Sequence, residues 1–98
     1  MRKPGVEVVN NTERRQFEIH EGEHLARLTY RLRGDVLDLI HTEVPRELEG
    51  QGYANELATA ALEYAAQNSL LVKPTCPFVQ AFIIRHPSYA RLTSRTDD

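Results

Sequence analysis

At Pro45 the spacing of apolar residues changes, and the change fixes what the chain can fold into. Before it, apolar and polar residues alternate. Phe17 and Ile19 share one face of a short segment, and Leu28, Tyr30 and Leu32 share one face of a longer one, with Arg27, Thr29, Arg31 and Arg33 opposite. After Pro45, Ala54, Leu57, Ala58, Ala61, Leu62 and Ala65 recur at helical intervals, while Asn55, Glu56, Thr59, Glu63 and Gln67 fall mostly on the other side. Period-two segments form strands and the 3.6-residue stripe forms a helix, so the fold class is α+β with the strands first.

Turn residues punctuate the first half. Val6 to Val9, Gln16 to His20, His24 to Arg33 and Val36 to Val44 read as four strands. They are separated by Asn10-Asn11-Thr12, Glu21-Gly22-Glu23 and Gly34-Asp35, which predicts an antiparallel meander. The mostly alanine face of the first helix predicts a close approach to that sheet. Leu70 to Lys73 reads as a fifth strand. Pro74-Thr75-Cys76-Pro77 then opens a second helix carrying Phe78, Val79, Phe82 and Ile83, which must end near His86 because Pro87 disfavours helical geometry at the preceding residue. The expected order is ββββαβα, a mostly antiparallel sheet of about five strands with two helices. Thr93 to Asp98 reads as a frayed tail.

With 98 residues, 41% of them apolar, the expectation is one globular domain spanning 1–98. Twelve basic against fourteen acidic residues leave a net charge of −2, which removes the uniform positive field that nucleic acid or anionic lipid would require. One cysteine, Cys76, permits neither an internal disulfide nor a Cys-rich zinc site. No apolar run approaches the ~20 residues of a membrane span, so a cytoplasmic protein, monomeric or weakly dimeric, is expected. His20 and His24 have no partner spacing that suggests a metal, and no metal site is expected.

The junction between the fourth strand and the first helix carries the clearest functional signal. It reads Val44-Pro45-Arg46-Glu47-Leu48-Glu49-Gly50-Gln51-Gly52-Tyr53-Ala54. Backbone N–H groups at a helix N-terminus attract a diphosphate, and glycines at 50 and 52 let phosphate approach the main chain. Two glycines in that position also make an ordinary tight turn.

At this point the chain resembles a known family. Glu49-Gly50-Gln51-Gly52-Tyr53-Ala54 is similar to the acetyl-CoA signature of the GNAT acyltransferase superfamily: Arg or Gln, two residues, Gly, one residue, then Gly or Ala. His41-Thr42-Glu43-Val44-Pro45 before it, and the run from Lys73 through Cys76, Pro77 and Phe78 to His86, Ser88 and Tyr89 after it, resemble the small single-domain N-acetyltransferase-like branch, over roughly residues 6 to 92. The resemblance implies a GNAT-like fold lacking the superfamily's first two helices. It implies an acetyl-CoA-dependent N-acetyltransferase acting on an unidentified amine of a protein, peptide or small molecule. The implied donor-binding residues are Val44, Gly50, Gln51, Gly52, Tyr53, Ala54, Pro77 and Phe78. Glu49 stands where the signature has Arg or Gln, placing a carboxylate beside the expected diphosphate, with Arg46 nearby to offset it.

Acyl transfer needs a nucleophile and a route for its proton, and the sequence offers candidates for both. Cys76 is expected to cap the second helix, where the dipole favours a thiolate, and the resemblance makes it a candidate for a covalent acetyl-cysteine intermediate. It also reads as a small core hydrophobe. His41 and Glu43 share a face of the fourth strand and are candidate general bases, or else an edge histidine and a solvated glutamate. By its chain position the resemblance makes Tyr89 a further candidate, as the acid that protonates the leaving thiolate; it also reads as a residue closing the core. Arg27, Arg31 and Arg33 read as the solvated side of the sheet. A non-enzymatic acyl-CoA-binding or interaction module, and a thiol sensor built on Cys76, complete the readings that the residues leave open.

Overall fold

A computed structural model describes residues 6–94. Five strands form one sheet in chain order: β1 Val9–Asn11, β2 Gln16–Glu21, β3 His24–Arg33, β4 Val36–Glu43 and β5 Leu71–Pro74. The first four pair antiparallel through tight turns, and β5 joins β4 in parallel, so the sheet is mixed. Helix α1, Tyr53–Gln67, is the crossover that the parallel pairing requires, and α2, Pro77–Arg85, follows β5 directly. Two 3-10 turns that periodicity does not reveal, Arg46–Leu48 and Pro87–Thr93, complete the order.

Both helices contribute to one core with a single face of the sheet. Phe17, Ile19, Ala26, Leu28, Tyr30, Leu37, Leu39 and Val72 meet Leu57, Ala58, Ala61, Leu62 and Ala65 of α1 and Val79, Phe82 and Ile83 of α2. The three alanines are fully buried, as expected for a helix lying close against a sheet. The opposite face is polar and is organised by cross-strand register. Glu18, Arg27 and Glu43 lie in one row across three strands, and Arg31, Asp38 and Lys73 lie in another. Opposite charges therefore face each other along both rows, which stabilises the sheet without forming a basic patch. The arginines of β3 belong to the solvated side, as the alternation predicts.

Two boundaries differ from the sequence reading. The first strand lies at Val9–Asn11, with Asn10 and Asn11 inside it and the turn displaced to Thr12–Arg15. The side chains explain the shift. Tyr30 donates its hydroxyl proton to Asn10 Oδ1 at 2.8 Å, and Asn11 Nδ2 donates to Glu18 Oε2 at 3.1 Å, so tertiary bonds outweigh the weak strand propensity of asparagine. At the C-terminus, Pro87–Thr93 is a 3-10 turn that buries Leu92, and residues 95–98 of the expected frayed tail lie outside the described residues.

Glu18 is buried on the polar face, where Gln16 Nε2 donates to it at 2.6 Å and His20 Nε2 lies 2.9 Å away. Burial pushes its carboxyl up, but the bonds from Gln16, His20 and Asn11 together hold it below the ordinary value of 4.5. A carboxyl lowered in the folded state contributes stability above its unfolded value and loses it as pH falls through the folded one. In urea titrations Glu18→Gln is expected to cost about 1–3 kcal/mol at pH 7 and to flatten the loss of stability below pH ~4.5. An unchanged acid limb would remove Glu18 from the set of groups that hold β1 and β2 together.

Candidate functional site

Opposite β3, strand β4 contains one residue more than the ladder requires. Thr29 pairs with His41 but Tyr30 pairs with Leu39, so Ile40 is a bulge. The extra residue reverses which side chains point inward. Before the bulge Leu37 and Leu39 face the core; after it Thr42, opposite Leu28, takes that side, and His41 and Glu43 turn to the polar face. His41 and Glu43 do share a face, as period two predicts, but the bulge separates it from that of Leu37 and Leu39.

The pairing between β4 and β5 stops at the same level. It ends at Leu39 opposite Pro74, followed by one more bond from the Cys76 N–H to the Leu39 carbonyl at 2.8 Å. Beyond that point β4 continues to Glu43 with β3 on one side only. The next residues form a cleft of about 190 Å³, lined by Val44, Leu48, Glu49, Gly50, Gly52, Tyr53, Ala54, Asn55 and Phe78. The open edge of β4 and the first turns of α1 and α2 all converge there.

Local chemistry explains the shape of the turn. Gly50 and Gly52 have φ of +82° and +80°, a left-handed geometry that L side chains rarely adopt. A Cβ built on either would meet no atom within 4 Å, so backbone conformation, not crowding by the protein, requires glycine here. Gly52 is the N-cap of α1, and neither α1 nor α2 has a side-chain cap. The positive dipole ends of both helices therefore lie at the cleft with no side-chain cap over them.

Of the donor-binding residues expected from the sequence, Val44, Gly50, Gly52, Tyr53, Ala54 and Phe78 line this cleft; Gln51 and Pro77 do not. Tyr53 is almost wholly buried and donates its hydroxyl proton to Glu21 Oε1 at 3.2 Å, tying the β2–β3 turn to the start of α1. Leu48 and Asn55 also line the cleft and escaped the sequence reading. The only signal for Leu48 is an isolated apolar residue between charges, which the Arg46–Leu48 turn buries as an anchor for the loop.

The candidates Cys76, Glu43 and His41 divide between the two faces. Cys76 occupies the N-cap position of α2, as expected, without a side-chain cap bond, and is buried, with Sγ 3.4 Å from Thr42 Oγ1. Glu43 is half exposed on the polar face, where Arg27 Nε and Nη2 both donate to its Oε1, at 3.1 and 2.6 Å. His41 is exposed opposite Thr29, whose hydroxyl bonds to the His41 carbonyl at 3.3 Å. Tyr89 lies elsewhere: its hydroxyl donates to Glu63 Oε2 at 2.8 Å, and Glu63 sits ten residues along α1 from Tyr53, about 15 Å from the turn. Burial, then the bond to and charge of Glu63, raise its pKa above the ordinary 10.0, and its ring stacks on Phe82 with centroids 6.3 Å apart. Among the described residues no group of His, Cys, Asp and Glu could hold a metal, and no helix is long and apolar enough to cross a membrane.

The chain is similar in fold and sequence to known proteins. The solution NMR structure of a GCN5-like N-acetyltransferase candidate from Staphylococcus aureus superposes with a TM-score of 0.70 at 29% identity, covering 92% of this chain and 89% of that one. Protein NATD1 from Bos taurus is 38% identical over 85 residues, which is 84% of this chain and 75% of the bovine protein. The Danio rerio protein of the same name is 38% identical over 87 residues, covering 84% and 79%. Residues 16–92, from the start of β2 to the buried Leu92, match the GCN5-related N-acetyl-transferase family, and the chain belongs to that family.

Proposed function

We propose that the chain is an acetyl-CoA-dependent N-acetyltransferase whose donor lies in the cleft beyond the last β4–β5 bond. One observation carries the reading: an open strand edge, a left-handed glycine turn and two uncapped helix N-termini meet at a single cleft. Backbone from Gly50 to Asn55 suits the diphosphate. Val44 and Phe78 flank the path along β4 toward Thr42 and Cys76.

The acceptor is an amine, which must lose a proton as it attacks. Its nitrogen bonds to the thioester carbonyl carbon, the carbon–sulfur bond breaks, and CoA leaves as the thiol. In direct transfer Glu43 accepts the amine proton and releases it to solvent while the departing CoA sulfur takes one from solvent; Arg27 donates to the Oε1 of Glu43, and His41 shares its face. A covalent route through Cys76 is the second reading, favoured by the Thr42 hydroxyl at 3.4 Å from its sulfur. There the Cys76 sulfur bonds to the carbonyl carbon as the bond to the CoA sulfur breaks and its proton passes to CoA; the amine then displaces the Cys76 sulfur, which takes up the amine proton. A donor-binding module without turnover is the third, favoured by the Glu49 carboxylate in the cleft lining.

Gly52→Asp is expected to weaken acetyl-CoA binding at least tenfold, about 1.4 kcal/mol, because its charge would face the diphosphate. Gly34→Asp is the control, since Gly34 also has positive φ, +59°, but lies in the turn between Arg33 and Val36. Equal affinities of the two variants, measured by calorimetry on folded protein, would mean that the glycine turn is only a turn.

Release of CoA thiol in the presence of amines and peptides separates the routes. Direct transfer predicts that Glu43→Gln loses about 10²-fold or more in kcat while Cys76→Ala stays active. A covalent relay predicts the reverse, with one acetyl group on the wild type by intact mass and none on Cys76→Ala. Binding of acetyl-CoA without CoA release from any acceptor would leave only the binding module.

A further inference from the structure

The turn between β2 and β3 reaches the glycine turn through one hydrogen bond. We infer that Glu21 is a positioning residue for acetyl transfer: through Tyr53 it fixes the backbone at Gly50 and Gly52 in the form that receives the donor, although it does not itself line the cleft. The inference rests on the acyl-donor reading above and deepens it. Gly50 and Gly52 do not select their own conformation. Glycine visits both signs of φ with little bias, and beyond the chain neighbours no atom lies within 4 Å of where a Cβ on either would stand. Packing at the glycines therefore does not choose φ of +82° and +80°. Gly52, as N-cap, also offers no side chain to bond the first turn of α1. The selection must come from the residues on either side.

On the N-terminal side, Leu48 is buried in the core and anchors the Arg46–Leu48 turn. On the C-terminal side, Tyr53 is the first residue of α1 and is 1% exposed, with its hydroxyl donating to Glu21 Oε1 at 3.2 Å. Burial of the ring is non-directional and leaves the start of α1 free to slide and turn slightly; the hydrogen bond is directional and removes that freedom. Gly52 is joined directly to Tyr53, so any displacement of the phenol passes into the glycine turn. The hairpin makes a second contact with the loop, from His24 Nδ1 to Glu47 Oε1 at 3.8 Å. Both of those side chains are exposed, and such a pair contributes little. Glu21 therefore carries the coupling between the hairpin and the donor turn.

Calorimetry with acetyl-CoA and amide NMR on the full chain test this. Tyr53→Phe keeps the ring and removes the hydroxyl, and Glu21→Ala, at an exposed position, removes the acceptor. Each is expected to weaken acetyl-CoA binding about three- to tenfold, and the double variant to bind no more weakly than the weaker single one. Glu21→Gln keeps an acceptor oxygen and is expected to stay within about twofold of the wild type. Tyr30→Phe, which loses a phenol bond to Asn10 Oδ1 elsewhere in the fold, controls for a merely structural loss and is expected to leave the affinity within about twofold. In donor-free protein the amides of Gly50 and Gly52 are expected to shift in Tyr53→Phe and Glu21→Ala and to stay in place in Tyr30→Phe. Wild-type affinity in Tyr53→Phe and Glu21→Ala, additive losses in the double variant, a Glu21→Gln no better than Glu21→Ala, or an equal loss in Tyr30→Phe would overturn the inference and leave the acyl-donor reading standing. If the wild type itself does not bind millimolar acetyl-CoA, the acyl-donor reading fails and this inference fails with it.

Discussion

The extra residue Ile40 in β4 is the constraint on which the site depends. Without it, period two would carry the inward positions from Leu37 and Leu39 to His41 and Glu43, burying two polar groups in the core. With it, Thr42 takes the inward place beside Cys76, and His41 and Glu43 turn to the polar face. The bulge falls where β5 stops pairing, so the same short stretch of β4 changes face and loses a neighbour. A mixed sheet with an open internal edge results, and α1 and α2 both begin at that opening.

This arrangement places the two chemical options on different sides of the sheet. Cys76 belongs to the helix layer, and its burial shields it from soluble oxidants, which disfavours a role as a thiol sensor. Glu43 belongs to the polar face, where Arg27 faces both Glu18 and Glu43 across the ladder. The route by which an amine reaches the donor therefore decides which of the two residues it meets. On the polar face, charges alternate along the register and are largely matched locally, so the ladder organises the sheet without attracting a highly charged partner.

Much of this architecture was legible in the sequence, and the exceptions have physical causes. The change of period at Pro45 located the strands and helices to within a few residues, and Gly50 with Gly52 marked the turn. Cys76 and Pro77 marked the start of α2. The bulge escaped the reading although the sequence carries a trace of it: Leu39 and Ile40 are adjacent apolar residues, and strict alternation would put His41 and Glu43 on the face of Leu37 and Leu39. Thr42 as the neighbour of Cys76 was therefore missed, as was the separation of Cys76 from Glu43. β1 was misplaced because side-chain bonds from Tyr30 and to Glu18, formed over long sequence separations, hold Asn10 and Asn11 in a strand. Tyr89 could not be placed from sequence position, since the 3-10 turn that carries it to Glu63 has no periodic signature.

The central claim is that the donor binds where β4 and β5 part. Backbone amide NMR shifts recorded during titration with acetyl-CoA test it most directly, because the cleft is built largely from main chain. The account predicts a contiguous set of shifted amides at Val44, Gly50, Gly52, Ala54, Asn55 and Phe78, with Arg31, Asp38 and Lys73 on the polar face unmoved. Saturable shifts confined to the polar face, or no shifts at millimolar ligand, would contradict it.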